Sequence, residues 1–159
     1  MPAAYRILDE PRPGALQRIA VNPVWPLFGF LFAGAWLSWP WFVVNAIAVG
    51  SPTRMKEFAW AVAGFLGIGA WVVVLGALLD LGIIGVEQGP WATIALVLWK
   101  LAISYRLYML QASTFEIYAY FGGVVRNGAI AVFIGYLVWA RFLSGWLETH
   151  AKGLETLLR

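Results

Sequence analysis

The chain predicts an all-α, polytopic membrane protein: four transmembrane helices in an antiparallel bundle, followed by an amphipathic C-terminal helix. Three observations carry this expectation. Hydrophobic residues make up 62% of the 159 and charged residues 12%, against roughly 45–50% and 25% in a soluble domain. The mean hydropathy is +0.77, and the apolar residues gather into runs of about 20, the length that crosses a bilayer as helix. Short turn-forming stretches divide the runs: Gly50-Ser51-Pro52-Thr53-Arg54, Glu87-Gln88-Gly89-Pro90 and Gly122-Gly123.

Residues 1–23 form a polar tail with Pro2, Pro11, Pro13 and Pro23 and the basic residues Arg6, Arg12 and Arg18. The tail is expected on the membrane surface, with one interfacial turn around residues 15–21. Ala46-Ile47-Ala48 imitates a signal-peptide cleavage site, but the apolar run before it exceeds a normal h-region, so cleavage is not expected.

The first span is predicted over 27–49. Pro40 removes a backbone donor and is expected to kink or break this helix. Gly29, Ala33 and Gly34 supply a small-residue face for close helix contact. The amide of Asn45 calls for a partner on a neighbouring helix. Ser51 or Thr53 is placed to cap the next helix.

The second span is predicted over 58–86, with Asp80 as its charge and Gly64, Gly67 and Gly69 for close packing. A four-residue turn then forces an antiparallel neighbour, the third span over 91–113. Lys100 lies ~13 Å past Trp91, near the middle of a ~30 Å hydrocarbon layer, where an unpaired charge costs a few kcal/mol or more. Folding about Gln88 and Gly89 places Asp80 level with Val97, leaving Lys100 ~4.5 Å further along. An Asp80–Lys100 ion pair is therefore predicted. Thr93, Lys100, Ser104 and Gln111 fall within about 60° on a helical wheel. Such a stripe faces a bundle interior or a watery path; the plainer reading is a hydrogen-bond layer, the sharper one an ion or proton route.

The third helix is expected to run on to Tyr120 and stop at Gly122-Gly123. The fourth span is predicted over 124–143, with Arg126 near its start, within reach of Glu116 for a second ion pair, and a snorkelling Arg141. Residues 144–159 read as an amphipathic helix. Leu143, Trp146, Leu147, His150, Leu154, Leu157 and Leu158 repeat at three and four, opposite Glu148, Lys152, Glu155 and Arg159. His150 sits on the apolar stripe as a packing residue. Four spans put both termini on one side with Arg6, Arg12, Arg18, Arg141, Lys152 and Arg159. Arg54, Lys56 and Arg126 fall opposite, a bias that places the termini in the cytoplasm.

Pro26-Leu27 with Gly29 and Gly34, then Asn45, Pro52 and Arg54, resembles the first hairpin of small uncharacterised bacterial four-helix membrane proteins. Phe115-Glu116-Ile117-Tyr118 before Gly122-Gly123 is similar to their third-to-fourth helix connection, with Tyr118 where that pattern has His. The resemblance implies four helices in a bacterial inner membrane and supplies no activity.

Several function classes are excluded. No Cys is present, which removes disulfides, thiolate metal sites and Cys nucleophiles, and one His cannot build a bis-His haem or a His-rich metal site. HExxH, GxSxG, P-loop and dinucleotide motifs are missing, so no enzyme, cofactor or metal is expected. A net charge of +3 without a basic cluster argues against nucleic acid. The favoured expectation is an accessory or assembly subunit, its partners being the lipid bilayer and other membrane subunits or copies of itself. The alternative is a small oligomeric channel or transporter, for an anion by preference, using Lys100, Arg106 and Asp80.

Overall fold

The computed structural model describes residue 11 and residues 14–157. Its helices are α1 (Val24–Ala33), α2 (Ala35–Val49), α3 (Arg54–Asp80), α4 (Gly89–Tyr120) and α5 (Ala129–Leu157), with short 3₁₀ turns at Ala15–Ile19 and Val86–Gln88. Among the described residues the one strand-like feature is an isolated parallel bridge between Val21 and Arg126. The all-α expectation holds; the four spans do not. Two helices, α3 and α4, are long and apolar enough to cross a membrane. Their most apolar windows are 6% and 17% buried, so these faces turn outward rather than into a core.

The predicted first span is the main correction. It breaks at Gly34, where φ is 93° and ψ is −177°, a region that essentially only glycine occupies. The Gly34 N–H donates to the carbonyls of Gly29 and Phe30 and closes α1. The chain then folds back on itself. A Cβ placed on Gly29 would meet Leu37 Cδ2 and the Trp41 ring, each at 3.6 Å; along a straight helix, Gly29 and Trp41 would stand ~18 Å apart. Helices α1 and α2 are therefore the two arms of a helical hairpin with its tip at Gly34. Pro40, the expected break, lies exposed inside a continuous α2.

Side-chain contacts fix the directions of the other helices. Trp39 meets Ser104 and Phe42 meets Gln111, so α2 and α4 run parallel. Gly64 lies against both Trp39 and Ile103, and Gly67 against Trp99, so α3 runs antiparallel to both. Gly128 meets Trp25 and Gly135 meets Ala33, so α5 runs parallel to α1. The hairpin packs on α5 on one side and on α3 and α4 on the other.

One end of the molecule, called the base here, gathers the Ala15–Ile19 turn, the α2–α3 turn and the α4–α5 connection. The hairpin rises from the base only to Gly34, about level with Lys100. From there α3 and α4 continue as a pair for ~18 Å. Below the tip the space is filled. Trp39, Phe42, Ile103 and Leu107 are fully buried or nearly so, with Ala35 and Ala61 completing the cluster. Glycine makes this fit possible, because a Cβ on Gly64 would stand 2.7 Å from the Trp39 ring.

Two boundaries move for identifiable reasons. Residues 124–128 are not helical, because Arg126 accepts from Asn22 N–H (3.2 Å) and donates to the Ala20 carbonyl (2.9 Å). The predicted separate helix over 144–159 is the continuation of α5, unbroken to Leu157. His150 and the remaining side chains of the amphipathic stripe beyond Gly145 lie outside the described residues, as do Arg6 and Arg12.

Candidate functional site

The densest polar chemistry of the chain lies at the base, around a carboxyl that the sequence reading did not single out. Glu57 stands in the first turn of α3 and is completely buried. Its Oε1 accepts from the hydroxyls of Ser51 (2.6 Å) and Thr53 (2.8 Å), and its Oε2 accepts from Gln111 Nε2 (2.5 Å). The same Gln111 amide donates to the Phe42 carbonyl (2.5 Å). Ser51 in turn accepts from the Thr53 N–H (3.1 Å). One carboxyl thus ties together the α2–α3 turn, α3, α4 and, through Gln111, α2.

The local sequence explains this arrangement. Gly50 turns the chain with φ 64° at the end of α2, and Ser51 and Thr53 follow in the turn. Neither caps α3 by a side-chain bond. Both hydroxyls turn inward to Glu57, which corrects the capping expectation. The placement also suits the carboxyl electrostatically, since the N-terminus of a helix carries partial positive charge. Among the described residues no cation forms a salt bridge with it. Gln111 Oε1 is left buried without a partner, as is Ser38 Oγ. Chemically this is a clamp: three donors hold the carboxyl.

The predicted site residues divide into two groups. Ser104 and Gln111 are fully buried and face the hairpin, as an interior stripe should. Ser104 accepts from Trp39 Nε1 (2.9 Å) and donates to the Lys100 carbonyl (2.9 Å). Asn45 is buried too, but its partner is not a helix. It accepts from Val21 N–H (3.1 Å) and donates to Val21 C=O (2.6 Å), pinning the incoming chain beside the Val21–Arg126 bridge. Thr93 is exposed and bonds to its own turn at the Gly89 carbonyl (3.0 Å).

The charges form the second group. Asp80, Arg106, Glu116 and Arg126 are exposed and Lys100 is half-buried. Among the described residues none of them forms a salt bridge, so neither predicted ion pair is present. For Asp80 the reason is register. Helix α3 stops at Asp80 and eight residues intervene before α4, not four. With Gly67 against Trp99, Asp80 comes level with Val86, and Lys100 lies fourteen residues, ~21 Å, further along. For Glu116 and Arg126 the cause is the bridge, which holds Arg126 against the N-terminal stretch.

Glu57 was legible only in combination. Two hydroxyls and a carboxylate at 51, 53 and 57, with the first apolar run of α3 following, form a polar knot on one side of a turn. Gln111 on the predicted stripe needed such a partner. Comparison with family models, curated proteins and solved structures finds no match to this chain.

Proposed function

We propose that the chain is a non-enzymatic integral membrane protein of a bacterial inner membrane, serving as an accessory or assembly subunit in a complex with other subunits or with itself. The observation that carries this reading is a division among its glycines. Gly64, Gly67, Gly128 and Gly135 are taken up by contacts within the chain, whereas Gly69 and Gly76, one above the other on α3, have open space where a Cβ would stand. Small residues on an open apolar face are what a second helix needs for close approach.

The register supplies a membrane frame for this reading. Centring a bilayer on the hairpin tip puts roughly 58–78 of α3, 90–110 of α4 and the apolar part of α5, Ala129–Gly145, in ~30 Å of hydrocarbon. The α5 stretch is the shortest of the three, and the non-helical residues 126–128 complete its crossing. In this frame α3, α4 and α5 cross, and α1–α2 enters to half depth and returns. Arg18, Arg54, Lys56 and Arg126 then share the base, which we assign to the cytoplasm. The start of α1 and the end of α5 come to lie on opposite sides, a revision of the four-span expectation. Two observations weigh against the channel alternative. The core below the tip is filled by Trp39, Phe42, Ile103 and Leu107, and Asp80 lies far along the pair from Lys100.

Two measurements test the proposal. Detergent-solubilised wild-type chain, extracted from its native membrane, should sediment well above its 17.6 kDa protein mass, alone or with co-purifying subunits, and Gly69→Leu/Gly76→Leu should be reduced to monomer; a lone monomer in both overturns the assembly role. Cysteine-accessibility tags at the N-terminus and at residue 52 should report the same side, and residue 88 the other. Opposite sides for the first two would restore a full first crossing.

A further inference from the structure

A second polar feature of the base has no part in the Glu57 clamp. A cavity of about 400 Å³ opens there between the Ala15–Ile19 turn and the α4–α5 connection. Arg18, Arg126, Gln17 and Tyr118 line it together with Gly122 and Gly123. Arg18 and Arg126 are 108 residues apart, and the Val21–Arg126 bridge brings them to one cavity. That bridge is held in turn by Asn45, a buried residue of α2. Neither arginine has a carboxylate partner among the described residues. Among the described residues the acid nearest in sequence to Arg126, Glu116, lines a different groove with Asn22, Tyr108 and Phe115.

The rest of the wall suits an anion. Three of the last carbonyls of α4, which would repel one, are already taken: Ile117 by Phe121 N–H, Tyr118 by Gly123 N–H and Ala119 by Gly122 N–H. Gly122 achieves this with φ 80°. Gly123 lies directly on the Tyr118 ring, with no room for a side chain between them. Tyr118 itself is buried, with a phenol able to donate a hydrogen bond. Two guanidinium groups and a phenol around a cavity of this size form a receptor for a phosphate group, which guanidinium binds bidentately.

We propose that this cavity binds the phosphate of an anionic phospholipid headgroup in the base-side leaflet. The inference rests on the membrane frame above, in which Arg126 and Val21 fall ~15 Å from the bilayer centre, at the edge of the hydrocarbon layer where long arginine side chains reach out to the lipid phosphates. Basic pockets at the cytoplasmic ends of membrane helices take anionic headgroups in this way.

The test uses the full chain in mild detergent, with lipid retention read by native mass spectrometry in mixed micelles of phosphatidylglycerol or phosphatidylcholine. Phosphatidylglycerol should be retained and phosphatidylcholine should not. Arg18→Gln and Arg126→Gln should each weaken retention about five-fold, and Tyr118→Phe by less. Arg54→Gln, at the same end but outside the cavity, should leave it unchanged. Each variant changes an exposed side chain or a single hydroxyl, and Arg126→Lys retains the charge if Arg126→Gln disturbs folding. Retention equal for both lipids, or lowered as much by Arg54→Gln, overturns the site. Saturable binding of glycerol phosphate with the same affinity as phosphatidylglycerol assigns the cavity to a soluble anion and overturns the lipid assignment. Insertion into pure phosphatidylcholine vesicles tests the membrane reading separately, so its failure is distinguishable from failure of this site.

Discussion

Below the hairpin tip and above it, the same two helices live in different surroundings. The lower halves of α3 and α4 clasp α2. Their glycines receive tryptophan rings, and the side chains of Glu57, Ser104 and Gln111 bond across to neighbouring segments. The upper halves touch chiefly each other, across an apolar groove lined by Trp71, Val74, Ala95 and Leu98. Composition separates the two regions in part, since the lower halves carry Arg54, Lys56, Glu57, Arg106 and Glu116 and the upper halves, 67–80 and 89–99, carry Asp80 alone. What separates them structurally is whether a third element is present. The lesson is that a half-length hairpin can convert half of an apolar helix pair into a specific core and leave the other half for something outside the chain.

The sharpest way to break this contrast is to remove its polar centre. The Ser51 and Thr53 hydroxyls lie 3.0 Å apart and can bond each other, so Glu57→Leu leaves one of them and one Gln111 N–H without an acceptor, at ~1–3 kcal/mol each. A loss of about 3–5 kcal/mol is expected in thermal or denaturant unfolding in detergent. Gln111→Leu should lose less, and Glu57→Leu/Gln111→Leu less than the sum of the two, as contacting residues couple. Strict additivity would mean that the clamp is not one unit.

Backbone and packing come next. Gly34→Ala forces a side chain into a conformation that costs ~1–3 kcal/mol, and the same range is expected for Gly64→Ala, whose methyl meets the Trp39 ring. At Gly69 and Gly76 a methyl meets nothing, and alanine favours helix by about 1 kcal/mol over glycine. Monomer stability should therefore rise slightly in Gly69→Ala. The opposite signs at Gly64 and Gly69, five residues apart in one helix, measure where the third element ends. Equal losses at both would place a partner within the chain on the upper face.

Much of the architecture was legible in the sequence, and what was not has local causes. The apolar runs gave α3, α4 and the start of α5, and the wheel gave the buried Ser104 and Gln111. The hairpin was missed because its determinant is one torsion at Gly34. A glycine inside an apolar run of 23 residues, 27–49, reads equally well as a packing residue, and Pro40 drew the expected break away from it. Asn45 was read as an interhelical bond because its true partner, the Val21 backbone, has no side-chain signature. By itself Glu57 carries no signal of burial in the sequence, since Arg54 and Lys56 flank it. Only the inward turn of Ser51 and Thr53 shows otherwise.

The smallest expected effect concerns Asp80 and Lys100, and it bears on the comparison most directly, because Lys100 stands where the upper region begins and Asp80 where α3 ends. A pair only ~4.5 Å apart in height, as a four-residue turn would give, would couple strongly, since removing one member of a buried pair strands the other at about 3–5 kcal/mol. At ~21 Å along the pair, with Asp80 exposed at the end of α3, the two should not couple. In the cycle of Asp80→Leu, Lys100→Leu and the double variant, the interaction should stay within ~0.5 kcal/mol. Lys100→Leu alone should be neutral or stabilising in the monomer, because it removes an unpaired amine from the depth of the hairpin tip. A coupling above ~2 kcal/mol would require α4 to slide many residues along α3, breaking the contact of Gly67 with Trp99. Assembly, measured as mass in detergent, is the complementary readout. If Lys100→Leu leaves the monomer stable and the complex smaller, the amine faces the partner that covers the upper half. If both are unchanged, that partner lies on the Gly69 and Gly76 face instead, and Lys100 reaches water along its own stem.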